Sequence, residues 1–247
     1  MRNDILPVIK AQLAIDLNCS LDDFDKEGLV FCEAKENPGR RPFPRESTHF
    51  EMLTMGGAII VSATANLLPY LKWQLKGLNR ESAFAQPFVC GCGHYFLPNN
   101  LKQSEVLPIP SGYEFKFEEG TDIHKYYGLD TLPNAIQHDK EHLRPDVLVL
   151  TATKDGKLAG MAGASADCEM LWQIGIDVLP EYRKAGLAAS LTNRLALEIL
   201  ERKKIPYYGT AQANVASQRV AFVSGFKPAW VCVYRGRFDG VLTSPSG

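Results

Sequence analysis

Residues 174–202 read Ile-Gly-Ile-Asp-Val-Leu-Pro-Glu-Tyr-Arg-Lys-Ala-Gly-Leu-Ala-Ala-Ser-Leu-Thr-Asn-Arg-Leu-Ala-Leu-Glu-Ile-Leu-Glu-Arg. A β-rich run breaks at Pro180, passes through Arg183-Lys184-Ala185-Gly186-Leu187-Ala188, and becomes an apolar-periodic helix. Backbone amides at a helix N-terminus are unpaired, point outward and lie at the positive end of the helix dipole, so this turn predicts a pyrophosphate site. Gly186 and Ala188 leave no bulk between that backbone and a phosphate, and Arg183 and Lys184 add positive charge at its mouth. The expectation is a phosphorylated cofactor.

Two better-known phosphate loops do not fit. A Walker A loop needs Gly-x-x-x-x-Gly-Lys-Ser/Thr, and a dinucleotide fingerprint needs Gly-x-Gly-x-x-Gly with an acidic residue about 20 positions later. Gly186 is alone in its turn. What fits is Arg-x-x-Gly-x-Ala at Arg183, Gly186 and Ala188. Downstream come the strand-like Ile205-Pro206-Tyr207-Tyr208-Gly209-Thr210-Ala211, then Asn214, a short helix over 217–224, Gly225-Phe226, and a closing strand over 229–234. Gly225 suits a left-handed helix C-cap. Loop, Asn and Gly-Phe, in this order over residues 172–234, resemble the acyl-CoA-binding half of the GNAT N-acyltransferase superfamily. The likeness thins upstream to about residue 112 and does not reach residues 1–100.

The resemblance implies a mixed α/β fold, a central twisted sheet with splayed fourth and fifth strands flanked by helices. It implies acetyl-CoA as co-substrate and a primary amine, on a small molecule or a protein, as acceptor in direct attack. Transferred to this chain, Ile176, Asp177 and Val178 lie along the cofactor arm, with the Val178 region offering the oxyanion donor. Arg183, Lys184, Ala185, Gly186, Leu187 and Ala188 cradle the pyrophosphate, and Asn214, Ser217 and Phe222 approach pantetheine. Asn214 also reads as an N-cap for the following helix. The family's Tyr acid, four residues before the Gly of Gly-Phe, is Ala221 here. Ser217, Tyr207 or Tyr208 then stand as candidates to protonate the thiolate, or water does. Glu169 and Asp167 are the candidate water-relayed bases; Gln173 cannot serve. The missing Tyr leaves an alternative, a catalytically silent CoA-binding or regulatory module.

Composition agrees with an enzyme of one large domain or two small ones: 247 residues, 45% hydrophobic. A formal net charge of -1 argues against a nucleic-acid surface. No run approaches 18 apolar residues, and the N-terminus lacks the apolar core of a signal peptide. Six cysteines in a chain this long read as a reduced, cytoplasmic protein. Cys90-Gly91-Cys92-Gly93-His94 has no second ligand pair, and His138, Glu141 and His142 show no third partner, so no metal is expected.

Closely spaced prolines in 101–112 predict a linker between an N-terminal α+β unit, 1–100, and a GNAT-like domain, 113–247. The N-terminal unit is expected to shape an acceptor pocket or to mediate homodimerisation. Its elements are a helix over 3–17, strands over 28–32, 57–63 and 88–92, and a helix over 65–75 with Trp73 in the core. In the second part, strands are expected over 113–118, 147–153, 157–166 and 170–178, and helical pieces over 121–142. Lys154-Asp155-Gly156 makes a hairpin turn. Asp122, Asp130, Asp139, Glu141 and Asp146 give the acceptor region an acidity that suits a cationic amine.

Overall fold

A computed structural model describes residues 2–42, 48–102, 105–137, 141 and 143–238. The expectations on Asp139, His138 and His142 fall outside these residues. The fold is mixed α/β, and the chain forms two compact units, one built on Phe96–Pro228 and the other on Asn3–Tyr95 with the residues from Ala229 onward. The sequence division at 101–112 is a different cut, because the closing strand runs on into the second of these units.

In the unit of 96–228, β5 (Glu114–Glu119), β6 (Asp146–Lys154), β7 (Lys157–Ala166) and β8 (Leu171–Val178) form an antiparallel meander. Asp155 and Gly156 both take positive φ, 51° and 74°, as a two-residue hairpin turn demands. The helix α4 (Leu187–Glu201) then crosses over to β9 (Ile205–Ala211), parallel to β8. The short α5 (Val215–Val223) follows. Leu187, Leu191, Leu195 and Ile199 recur every four residues and are buried. This stripe packs on Ala162, Ala164, Ile174 and Tyr208. Each such side chain contributes about 1.5–3 kcal/mol by leaving water.

The opposite face is covered by Ile123, Leu132, Ala135 and Ile136, packed on Val149 and Met161. The expected helical pieces of 121–142 reduce, among the described residues, to a 3-10 turn over Gly120–Tyr126 and further turns. Gly120, Gly128 and Pro133 interrupt any longer periodicity. The segment lies against the sheet because Gly163 and Gly175, partners across β7 and β8, carry no side chains. A Cβ at Gly163 would stand 1.7 Å from the Ala135 carbonyl oxygen, and one at Gly175 would stand 1.8 Å from that of Asn134. Buried Glu118 fastens the 3-10 turn to β5, accepting from Lys116 Nζ at 2.6 Å, Lys125 Nζ at 2.7 Å and the Tyr126 hydroxyl. Desolvation works to raise the Glu118 pKa; these donors outweigh it and hold the value at about 2.

Residues 101–112 hold no α-helix or strand among those described, yet they are bound to α4. Asn193, 1% exposed, accepts from the Leu107 amide at 2.9 Å and donates to the carbonyls of Glu105 and Ser224. Ser190 donates to the Pro108 carbonyl and Arg194 to that of Leu107.

The other unit contains α1 (Arg2–Leu17), β1 (Leu29–Glu33), β2 (Phe50–Thr54), β3 (Ile59–Ala63), α2 (Leu68–Gln74), α3 (Arg80–Phe84), most of β4 (Val89–Pro98) and most of β10 (Phe226–Gly236). Its strand order is β1-β3-β2-β10-β4, with β1 and β3 parallel. β2 and α3 had no counterpart in the sequence reading. Trp73 is a correction: it is 71% exposed. Leu67, Leu71 and Leu75 form the buried stripe around α2, and Trp73 lies two positions off it.

Gly175→Ala should destabilise the protein by about 1–3 kcal/mol and lower Tm by several degrees in calorimetry, since backbone rather than a flexible side chain must yield. For Glu118, the folded pKa lies below the ordinary value, so its contribution is complete above about pH 4.5 and is lost as pH falls toward about 2. Urea midpoints should therefore fall more steeply over that acid range in the wild type than in Glu118→Gln.

Candidate cofactor and acceptor site

β8 and β9 part company within their length. They pair from Leu171↔Ile205 through Ile174↔Tyr208, although β8 continues to Val178 and β9 to Ala211. On its other edge β8 stays paired with β7 as far as Val178↔Gly160. Leu179 donates to the Ala159 carbonyl on the β7 side, and Met170 accepts from Ile205 on the β9 side. Alternation then turns the main-chain groups of Ile176 and Val178 into the gap toward β9. This is the splay that the resemblance implies.

The chain leaves β8 through a 3-10 turn over Pro180–Tyr182 and enters α4 through two left-handed residues, Lys184 at φ 67° and Gly186 at φ 79°. Gly186 is the N-cap and supplies no side chain to the helix end. Among the described residues, no group accepts from the amides of Lys184 to Ala189. Arg183 Nε donates to the Val178 carbonyl at 2.9 Å, which fixes the guanidinium beside this turn. Arg183, Lys184, Ala185 and Gly186 are exposed, whereas Leu187 is buried as the first core residue of α4. Ala188 is half-buried.

The Tyr208 hydroxyl and Ser217 Oγ are 2.7 Å apart, so two of the sequence candidates meet at the last β8–β9 pair before the gap. Burial pushes the Tyr208 phenol up, more than its bond to Ser217 lowers it, and the charge of Asp177 adds to the rise. Asn214 caps α5 through its side-chain oxygen, which accepts from the Ser217 amide at 3.1 Å. Phe222 is exposed and packs edge-to-face on Phe96, while Ala221 is buried.

A model of the GNAT acetyltransferase family matches residues 149–229. That segment is GNAT. It contains β7, β8, α4, β9 and α5, hence the splay and the α4 turn. The chain is similar to a GCN5-related N-acetyltransferase-like protein from Streptococcus suis, at 16% identity and TM-score 0.47 over 74% of this chain and 72% of that one. It is similar to a GNAT-family acetyltransferase from Colwellia psychrerythraea at 15% identity and TM-score 0.44, covering 65% of this chain and 62% of that chain's length, less than two thirds. The aminoglycoside N-acetyltransferase AAC(6')-Iy, in complex with CoA, aligns at 23% identity and TM-score 0.37 over 49% of this chain and 91% of its own. No curated protein matches.

Within the GNAT segment, the Asp177 side chain faces away from α4. Its carboxylate accepts from the Asn134 amide at 2.6 Å, Asn134 Nδ2 at 2.7 Å and the Ala135 amide at 2.8 Å. Asp177 therefore anchors the covering segment; its main chain, not its carboxylate, belongs to β8. Glu169 is exposed in the hairpin at the far end of β8, and Leu171 to Ile176 alone span about 17 Å of strand. It is not brought together with the α4 turn. Asp167 is buried, receiving bonds from the Tyr207 hydroxyl, from Ser165 Oγ at 3.0 Å and from Arg144 at 3.5 Å. Asp167 and Tyr207 carry separate expectations in the sequence, because their contact spans 40 residues and has no local signature. Asp146, read as part of an acidic field, accepts from the Gln137 amide at 3.0 Å.

Among the described residues, no group of three or more His, Cys, Asp and Glu side chains is placed to hold a metal ion. Nor is any helix among them long and apolar enough to cross a membrane. Cys90 is exposed, with its Sγ donating to the Arg235 carbonyl, and burial raises the Cys92 thiol.

Asp177→Ala should free the covering segment without removing any core side chain. Hydrogen exchange read by mass spectrometry should quicken about tenfold or more over residues 132–136 and little in α4.

Proposed function

We propose that this protein is an acetyl-CoA-dependent N-acyltransferase, carrying an acetyl group to a primary amine by direct attack while both substrates are bound. The observation that carries this reading is the row of unpartnered amides from Lys184 to Ala189 at the mouth of α4. Aligned N–H groups at the positive end of a 15-residue helix attract a diphosphate strongly. The left-handed turns at Lys184 and Gly186 keep that backbone uncovered.

Acetyl-CoA supplies an activated acyl thioester. The chain's own groups fit it as follows. Arg183 and Lys184 add positive charge to the diphosphate cradle, and Ala185, Gly186, Leu187 and Ala188 give it amides with little side-chain bulk. Ile176 offers its unpaired N–H and C=O to the amide groups of a pantetheine arm, as an added strand would. Val178 N–H is the donor for negative charge that develops on an acyl oxygen. Asn214 fixes Ser217 by capping α5, and Phe222 lends apolar surface beside the gap. Tyr208, like any phenol, holds its proton at neutral pH, burial raises its pKa further, and through Ser217 it serves as acid for a departing thiolate.

A second reading, a CoA-binding module without turnover, is favoured by the absence of any tyrosine from α5, where Ala221 is buried. Thiol release from acetyl-CoA across a panel of amines separates the two: sustained release supports the enzyme, and tight binding without release supports the module. Arg183→Glu should weaken CoA binding by about 1–3 kcal/mol in titration calorimetry, the loss of one charge-assisted contact. Unchanged affinity would remove the α4 turn from the cofactor site.

A further inference from the structure

Ser165, Gln173 and Tyr207 stand in one row across β7, β8 and β9. Gln173 lies two residues before Gly175, on the same sheet face, so it borders the point where β8 and β9 diverge. Its Oε1 accepts from Arg144 Nη1 at 3.1 Å and from the Tyr207 hydroxyl at 3.2 Å. An arginine only donates, which fixes the oxygen end of the Gln173 amide. The Nε2 end then carries two donors that meet no partner among the described residues, on a side chain that is half-buried.

Three carboxylates of the same face are already engaged. The Asp167 carboxylate is held by Tyr207, Ser165 and Arg144, that of Asp177 by Asn134 and Ala135, and that of Asp146 by Gln137. Their oxygens already accept bonds within the protein, and Arg144 stands against Asp167, so they offer few lone pairs to a cationic amine. The unused group is a donor pair, aimed by two bonds that leave the Gln173 side chain little rotational freedom. A donor with no acceptor recognises an oxygen.

We propose that Gln173 is a specificity-determining residue for the acceptor: its Nε2 donates to a carbonyl-type oxygen, so the preferred acceptors are amines that carry an amide or carboxylate oxygen a few bonds from the nitrogen. This rests on the acetyl-transfer reading and deepens it by naming the acceptor class. Tyr207, Arg144 and Asp167 are positioning residues that act through Gln173.

The test measures acetylation of glycinamide, glycine and n-propylamine by the wild type, Gln173→Met and Gln173→Glu. Comparing the glycinamide-to-propylamine ratio of kcat/KM between proteins cancels the difference in intrinsic basicity. In Gln173→Met this ratio should fall about tenfold, chiefly through a higher KM for glycinamide. In Gln173→Glu the carboxylate arm should suffer most, with glycine losing about 100-fold, because a like charge replaces the donors. A ratio within twofold of wild type in either variant overturns the assignment, as does a wild-type KM for glycinamide no lower than that for propylamine. The wild-type comparison stands even if neither variant folds. Absence of turnover with every amine overturns the proposed function and this assignment together, whereas turnover with an unaltered ratio overturns this assignment alone.

Discussion

Past Ile174, β8 keeps a partner on one edge and loses it on the other. Backbone N–H and C=O groups left unpaired inside a protein cost free energy, so an interrupted ladder persists where solvent or a ligand reaches it. The same four residues lead directly into the turn before α4, whose amides are also unpartnered. Arg183 joins the two features, since the Val178 carbonyl that β9 does not engage accepts from its guanidinium. One change in strand direction thus brings an open edge and a positive helix end together within about ten residues.

The other face of β8 depends on a different balance. Ordering the backbone of five residues, 132–136, costs about 1–2 kcal/mol each. The bonds to the Asp177 carboxylate return about 1.5–3 kcal/mol apiece at most, which falls short of a secure surplus. Burial of Leu132, Ala135 and Ile136 makes up the difference. That burial is possible only because Gly163 and Gly175 let the chain lie on the sheet itself. The glycines admit the segment, the apolar side chains hold it, and Asp177 sets its register.

Legibility in the sequence followed the range of the interaction. The α4 turn was readable because Gly186 and its neighbours state a local requirement: positive φ, small side chains, then a four-residue apolar period. The β6–β7 hairpin was readable for the same reason at Asp155-Gly156. Trp73 misled because a large apolar residue suggests a core, and only the Leu67–Leu71–Leu75 spacing tells which face of α2 is inward. β2 is not legible because five residues among polar and proline-rich neighbours give too short a pattern. The cluster of Ser165, Asp167, Gln173, Arg144 and Tyr207 was invisible as a unit, since strand register rather than spacing assembles it. Gln173 is no base, since an amide does not take a proton at neutral pH, and its role as a hydrogen-bond donor depends on the strand register that aims it.

A stretch rich in proline, without helix or strand, suggests an easy place for a chain to be cut. In this protein the side-chain amide of Asn193 grips Glu105 and Leu107 while also holding the Ser224 carbonyl at the end of α5. Cleavage by a protease requires several residues to be drawn out into an extended strand within the enzyme's cleft. Here that withdrawal would strip a buried amide of its partners, so residues 105–108 should resist digestion for as long as α4 keeps its place, and nicking there would report the loosening of the helix rather than a frailty of the segment itself.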